Sequence, residues 1–440
     1  MNDDYDDLVE RRKRAMGPAY THFYRNPLYL VRGEGVWLYD SDGKKYLDCY
    51  NNVPSVGHCH PYVVEALTRQ ASTLNTHTRY LHHEIIDYAE KLAATLPGDL
   101  SVCMLVCTGT EANDLAYRIA RTVTGNTGAI STTGAYHGNS TLVSALSRDY
   151  GSTEKLPDFV EYADPPYTYR GRFSDSEPGY AVAYAGLVDD AIDRLRERDV
   201  RPAMMIIDSI YDGRGTLTPP PEYLQGVYPK VRAAGGLMIA DEVQSGLTRL
   251  GDHYWGFMDS GVIPDIVTMG KPMGDGHPLA VVVTTPQIAA DFAKRRDYFN
   301  TFGGNPVSAA VGNAVLQVVE RENILASVHS TGAQLKRGLE SLAVTHELIG
   351  ELRGKGLFQT VELVLDRDSK EPARAAARAV AETLRERGVL VSTMGEFGNI
   401  VKIRPPLVFS ARHADMLLER LDEALSVAAR ESGRGQPQPG

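Results

Sequence analysis

Lys271 stands in Val267-Thr268-Met269-Gly270-Lys271-Pro272-Met273-Gly274, 30 residues after Asp241 in Ile239-Ala240-Asp241-Glu242-Val243-Gln244. Each follows an apolar run of strand length. An amine just past one strand and a carboxylate at the end of another suit a pyridoxal phosphate (PLP) site. The amine forms the Schiff base, and the carboxylate keeps the pyridine nitrogen protonated so that the ring accepts electrons. A third group is Cys107-Thr108-Gly109-Thr110-Glu111-Ala112-Asn113-Asp114, between an apolar run and a helical pattern over 112–121. Gly109 admits close backbone approach, Thr110 offers a hydroxyl, and a helix N-terminus presents free N–H groups to an anion. An ordinary N-cap at Thr108 or Thr110 accounts for the same residues. Tyr136, in Ala135-Tyr136-His137-Gly138-Asn139, has the right chemistry to stack on a planar ring. A core tyrosine and a satisfied polar His137 read equally well locally.

The elements that must position these residues are legible as short apolar runs alternating with amphipathic stretches, the pattern of an α/β fold with a mainly parallel sheet. The expected strands are 102–106, 128–131, 203–207, 237–240, 266–269 and 279–284. In open α/β sheets ligands bind outside the carboxyl ends of strands, which is where the polar residues above fall. Upstream, 29–39 and 45–47 read as a β-meander broken at Ser41-Asp42-Gly43. Downstream, a helix is expected over 308–320. A C-terminal region follows, with helices over 373–387 and 414–428 and strands over 357–363, 389–392 and 400–403. The expected division is an N-terminal segment 1–60 packing with a small domain, a large domain 61–306, a small α+β domain 307–430 and a disordered tail 431–440 rich in Gly, Pro and Gln.

Composition narrows the partners. The chain has 440 residues, a net charge of −10 and dispersed acids, and no Lys/Arg run marks a nucleic-acid face. No stretch is long and apolar enough for a membrane span, and the acidic N-terminus lacks the regions of a signal peptide. Four cysteines in a chain this long read as reduced thiols of a cytoplasmic protein. No Walker A lysine and no strand-linked G-x-G-x-x-G is present. His58-Cys59-His60 and His82-His83-Glu84 fit no zinc spacing, so no metal is expected.

Five motifs together resemble the class III aminotransferases of PLP fold type I, in the order of that family: Gly-Thr-Glu-Ala-Asn at 109–113, Tyr-His-Gly at 136–138, Asp-Glu-Val-Gln at 241–244, Gly-Lys at 270–271 and Thr301-Phe302-Gly303-Gly304-Asn305-Pro306. The resemblance spans about residues 26 to 428. It implies that Lys271 forms the Schiff base and then moves the substrate proton, and that Asp241 pairs with the ring nitrogen. It further implies that Val243 and Tyr136 cover the two ring faces, that His137 joins the cofactor contacts, and that Gln244 meets the ring hydroxyl. Gly109 and Thr110 hold the phosphate, with Thr301 contributed by the second subunit of a homodimer. The substrate is then a small amine or amino acid.

Within the family, Tyr46 to Val53, Val56 to Pro61 and Lys271 to Pro278 resemble the phospho-lyase branch. Many class III aminotransferases carry a carboxylate-clamping arginine three residues ahead of the first proline of Pro405-Pro406; here that position is Lys402, a point charge rather than a fork. Arg404 lies on the same face two residues on. Asp208-Ser209-Ile210-Tyr211-Asp212-Gly213-Arg214 departs from the usual family pattern beside the substrate, with a bulkier Tyr211 and an added Arg214. Substrate contacts are thus expected from Asn52, Asp208, Arg214, Lys402 and Arg404. The favoured reaction is β- or γ-elimination or replacement, with transamination second and a non-catalytic PLP-binding regulator a remote third.

Overall fold

The computed structural model describes residues 3–148 and 155–431. Its centre is a seven-stranded sheet in the order Val102–Val106, Ala280–Thr284, Ile266–Met269, Leu237–Asp241, Pro202–Asp208, Gly128–Thr132, Val160–Ala163. Ala280–Thr284 runs antiparallel to both neighbours and the other pairings are parallel. Both faces are covered. Met204 and Ile206 pack with Leu115 and Ile119 of the helix Gly109–Thr124. Met205 and Ile207 point the other way, onto the helices Tyr180–Arg196 and Pro221–Ala233. Strands buried on two faces read as continuous apolar runs, which is why they are visible in the sequence.

Register puts the chemistry on one edge. Asp208 lies opposite Asp241 and Asp241 opposite Thr268 at the carboxyl ends of their strands, and Gly109–Thr124 starts three residues beyond Val106.

Two smaller sheets complete the fold. One holds Leu30–Glu34, Trp37–Asp40, Lys45–Asp48 and, parallel to the last, Val389–Leu390. The expected stretch 29–39 is therefore two strands, divided at Gly35 with φ +58°, a conformation that glycine adopts freely. The other holds Ile349–Lys355, Phe358–Asp366, Ile400–Ile403 and Ser392–Met394. The expected strand 389–392 is thus divided between two sheets. At the break, Val391 bonds with Tyr24, its carbonyl accepting from the phenol at 2.6 Å and its N–H donating to it at 3.1 Å. The strand Val160–Ala163 and the helix Ile324–Thr345 add to the expected elements. The tail expected from 431 lies, beyond Glu431, outside the described residues.

Candidate active site

Asp241 is buried at the end of its strand. Its Oδ2 accepts from Asn113 Nδ2 at 2.9 Å and from His137 Nδ1 at 2.7 Å, and its Oδ1 accepts the Val243 N–H at 3.0 Å. Asn113 sits one turn into Gly109–Thr124. Its Oδ1 accepts the Thr268 hydroxyl at 2.6 Å, and its Nδ2 also reaches the His137 carbonyl at 2.7 Å. Two strands, one helix and the loop carrying His137 therefore fix the carboxylate's direction. The His137 Nε2 is buried without a partner.

The turn into Gly109–Thr124 is held by a reciprocal cap. Thr108 is the N-cap of Gly109–Thr124, accepting the Glu111 N–H at 3.1 Å, while Glu111 accepts the Cys107 N–H at 2.7 Å. The Gly109 and Thr110 N–H groups, at the first two helical positions, have no intrahelical acceptor. A Cβ on Gly109 would lie 2.9 Å from a Val243 methyl, one on Gly270 3.3 Å from the Gly109 Cα, and one on Gly138 2.4 Å from the Thr110 hydroxyl. Tyr136 is 48% exposed at the mouth. An oriented acid, a glycine-lined turn with free N–H groups and an open aromatic face fit a phosphorylated planar ring. Thr301 is exposed on a loop whose turn is held by Asn300 Oδ1, which accepts from Phe302 N–H at 3.2 Å and Gly303 N–H at 2.8 Å.

Lys271 opens a short turn, Lys271–Gly274, two residues beyond Ile266–Met269. The N-terminal segment anchors that turn: Ser55 Oγ donates to the Pro272 carbonyl at 2.6 Å and Asp275 accepts the Val56 N–H at 2.9 Å. The Lys271 amine is held below its ordinary pKa, by burial first and then by Arg404, against the pull of Asp241, Asp212 and Asp208. That favours the neutral amine.

Among the expected substrate contacts, the structure brings Lys402, Arg404 and Asn52 together around Asp212 and Gln244. Lys402 and Arg404 are buried rather than solvated. Asp212 Oδ1 lies 2.6 Å from Lys402 Nζ and its Oδ2 3.7 Å from Arg404 Nη1. Gln244 Nε2 donates to Asp212 at 2.9 Å, and its Oε1 accepts from Asn52 at 2.8 Å and Arg404 at 2.6 Å. Burial pushes the Lys402 pKa down to about 8 against the attraction of Asp212. Asp208 is not in this contact set: its oxygens accept the N–H groups of Ile210 at 3.1 Å and Asp212 at 2.7 Å, shaping its own turn. Tyr211 also lies outside this cluster. It is buried beside Tyr223, with ring centroids 6.3 Å apart, because its φ of +51° turns it into the core. Arg214 stands apart from Lys402, donating to the Thr133 carbonyl at 2.9 Å and hydroxyl at 2.7 Å and pairing with Glu396 at 3.3 Å.

Asn113 and Asp212 are the site residues to which sequence reasoning assigned no role. Asn113 has a local signal, a polar residue on the buried face of an amphipathic helix. Asp212 has none, because its partners come from a strand about 190 residues away. The histidines around 58 and 82 are used structurally: His58 bonds Asp48 at 2.7 Å, and His60 and His82 cap helices. Among the described residues no group of three or more His, Cys, Asp or Glu could hold a metal, and no helix is long and apolar enough to cross a membrane.

The model of the aminotransferase class-III family matches residues 19–425, and the chain belongs to that family; it is a PLP-dependent enzyme, a lyase or aminotransferase. Over 97% of its length it is 41% identical to an alanine–glyoxylate aminotransferase 2-like protein of Drosophila melanogaster, covering 88% of it. It is 39% identical to ethanolamine-phosphate phospho-lyase homolog 1 of Caenorhabditis elegans, with 97% of this chain and 94% of that one covered. Among solved structures it is similar to a phospholyase from Arthrobacter in complex with phosphoethanolamine, with a TM-score of 0.92, 42% identity and 95% and 99% of the two chains covered.

Proposed function

We propose that the chain catalyses elimination or replacement at the β or γ carbon of a small amine, phospho-lyase-like, with PLP held by Lys271 and Asp241. PLP, when bound, supplies an aldehyde that captures the amine and a ring that accepts electrons from the adjacent carbon. Lys271 would be tethered beside that carbon, and its depressed pKa would suit it to take a proton there. Asp241, oriented by Asn113, His137 and the Val243 N–H, holds a proton on the ring nitrogen. Gly109 and Thr110 bind the phosphate at the helix N-terminus, Tyr136 covers one ring face and Val243 the other.

The observation that carries elimination over transamination is the Lys402–Asp212–Arg404 cluster. Where a two-pronged clamp for an α-carboxylate is expected there is a lysine already paired to Asp212. The cluster retains one net positive charge, which suits an anionic leaving group better than bidentate carboxylate recognition. The phosphoethanolamine bound by the Arthrobacter relative makes that compound the first to try. We further propose a homodimer in which the Thr301 loop of one copy completes the cradle of the other. Tyr80, Leu81 and Phe302, at 65%, 98% and 70% exposure, supply apolar surface for such a contact.

The test is a single-turnover absorbance measurement on PLP-loaded protein with phosphoethanolamine and unphosphorylated amines, with no keto acid present. Release of ammonia and inorganic phosphate, with the starting spectrum restored, supports elimination. Accumulation of the amino form of the cofactor supports transamination instead, and an unchanged spectrum with every amine refutes both.

A further inference from the structure

The loop that follows Gln244 adopts a strained path. Leu247 and Thr248 are consecutive non-glycine residues with φ of +57° and +65°, both fully buried, a conformation that disfavours any side chain. The Thr248 hydroxyl is buried without a partner. This path turns Arg249 inward, where it is 1% exposed. Its Nη1 donates to the Leu357 carbonyl at 3.0 Å and the Pro405 carbonyl at 2.7 Å, and the Leu357 N–H donates back to the Arg249 carbonyl at 3.0 Å. These acceptors are carbonyls rather than carboxylates, and Nη2 is buried without a partner. A guanidinium so placed is expensive to bury, and burial, with Arg404 second, pushes its pKa down to about 9.

Both carbonyls belong to the segments that form the substrate side. Pro405 follows Arg404 directly. Leu357 precedes Phe358, whose buried ring lies 5.5 Å from the Arg404 guanidinium and 5.9 Å from Lys402 Nζ. One loop thus grips the same strand end twice, Gln244 through the Arg404 side chain at 2.6 Å and Arg249 through the Pro405 carbonyl.

We infer that Arg249 is a positioning residue: it fixes Lys402, Arg404 and Phe358 against Gln244 and so sets where the anionic part of an amine substrate lies relative to Lys271. The inference rests on the reading of Lys402 and Arg404 as the anion-facing residues. Arg249→Met keeps the apolar stem and removes the fork, and Arg249→Lys keeps the charge and one donor. On the PLP-loaded full chain, the readouts are the Kd of inorganic phosphate and the KM and kcat for phosphoethanolamine, with cofactor absorbance as the control for loading. Arg249→Met is expected to weaken phosphate binding and raise KM by about tenfold, the scale of losing a charged hydrogen bond, with kcat little changed. Arg249→Lys recovers part of the loss.

Unchanged phosphate affinity and KM in Arg249→Met, whether or not its thermal midpoint falls, overturns the inference. If Arg249→Met does not fold, Arg249→Lys decides it: weaker phosphate binding than wild type supports the role and equal binding overturns it. Wild-type protein that neither binds phosphate nor turns over a phosphorylated amine is instead a failure of the proposed function. The KM comparison is then made with the amine that the wild type does use, and an unchanged KM there overturns the role of Arg249 separately.

Discussion

Replacing Asp212 by Asn strips the negative charge on which two buried cations depend. The Asp212 side chain is 12% exposed and those of Lys402 and Arg404 are 10% and 5% exposed. Removing one partner of such a buried pair costs about 3–5 kcal/mol. Asn keeps one acceptor oxygen, for Lys402 or for the Gln244 amide but not for both, so only part of the loss is recovered and Asp212→Asn falls at the lower end. The loss also has a ceiling, because Lys402 can shed its proton. From its folded value of about 8, deprotonation at pH 7 costs about 1.4 kcal/mol at about 1.4 kcal/mol per unit, which caps the part of the loss that runs through Lys402 and leaves the rest to Arg404. The pH dependence has a definite sign. The folded Lys402 pKa of about 8 lies below 10.5 through burial, and Asp212 is the largest force holding it up; without Asp212 it drops further. The wild type's advantage is therefore complete below the variant's Lys402 pKa and shrinks as pH rises through about 8, where wild-type Lys402 is neutral too. Denaturant unfolding followed through the buried Trp255, at a series of pH values from 6 upward, measures this. A loss at pH 7 of less than about 1 kcal/mol, the value of an exposed pair, or a loss that does not change with pH, refutes the reasoning.

Three further outcomes are expected. The Asp208 carboxyl is pushed up to about 8 by burial, then by Asp212 and Asp241. Between about pH 4 and about 8 the unfolded chain has released a proton that the folded chain keeps, so this group makes stability fall as pH rises; Asp208→Asn should flatten that slope in the same unfolding series, and an unaltered slope contradicts it. Borohydride reduction of PLP-loaded protein should fix the cofactor on the peptide containing Lys271, and peptide mapping that finds it on Lys402 would reject the assignment. Thr248→Gly should stabilise the protein by about 1 kcal/mol, since relief of left-handed strain and of an orphaned hydroxyl outweighs lost methyl packing and glycine's chain entropy. A destabilisation larger than about 1 kcal/mol in the midpoint comparison would mean that Thr248 packing matters more than its backbone.

Much of the fold was legible because its strands are buried on both faces. The runs at 102–106 and 266–269 match Val102–Val106 and Ile266–Met269, and the other four expected strands of the central sheet differ by one residue at one or both ends. The helices 308–320 and 414–428 fall inside Pro306–Arg321 and Ala411–Glu431. Less legible were segments whose course depends on a distant partner. Val389 to Ser392 reads as one apolar strand, yet Tyr24 holds Val391 and sends its two ends to different sheets. Tyr211 reads as a substrate neighbour by position, and a single positive φ turns it into the core.

The amino-acid sequence by itself determined the family and nominated the candidate reactive groups, because an amine, an acid, a glycine-opened helix and an aromatic must occur at strand ends in a set order, and order along a chain survives without coordinates. It also determined that the usual clamp position holds Lys402. Only the tertiary structure decided what that lysine meets. Asp212 lies far from Lys402 in the chain and pairs with it, while Gln244 bonds Asp212, Asn52 bonds Gln244, and Arg249 holds the Pro405 carbonyl just beyond the same strand. In that interior, a charge's partner depends on which strands and loops pack together, a relation that no local pattern encodes.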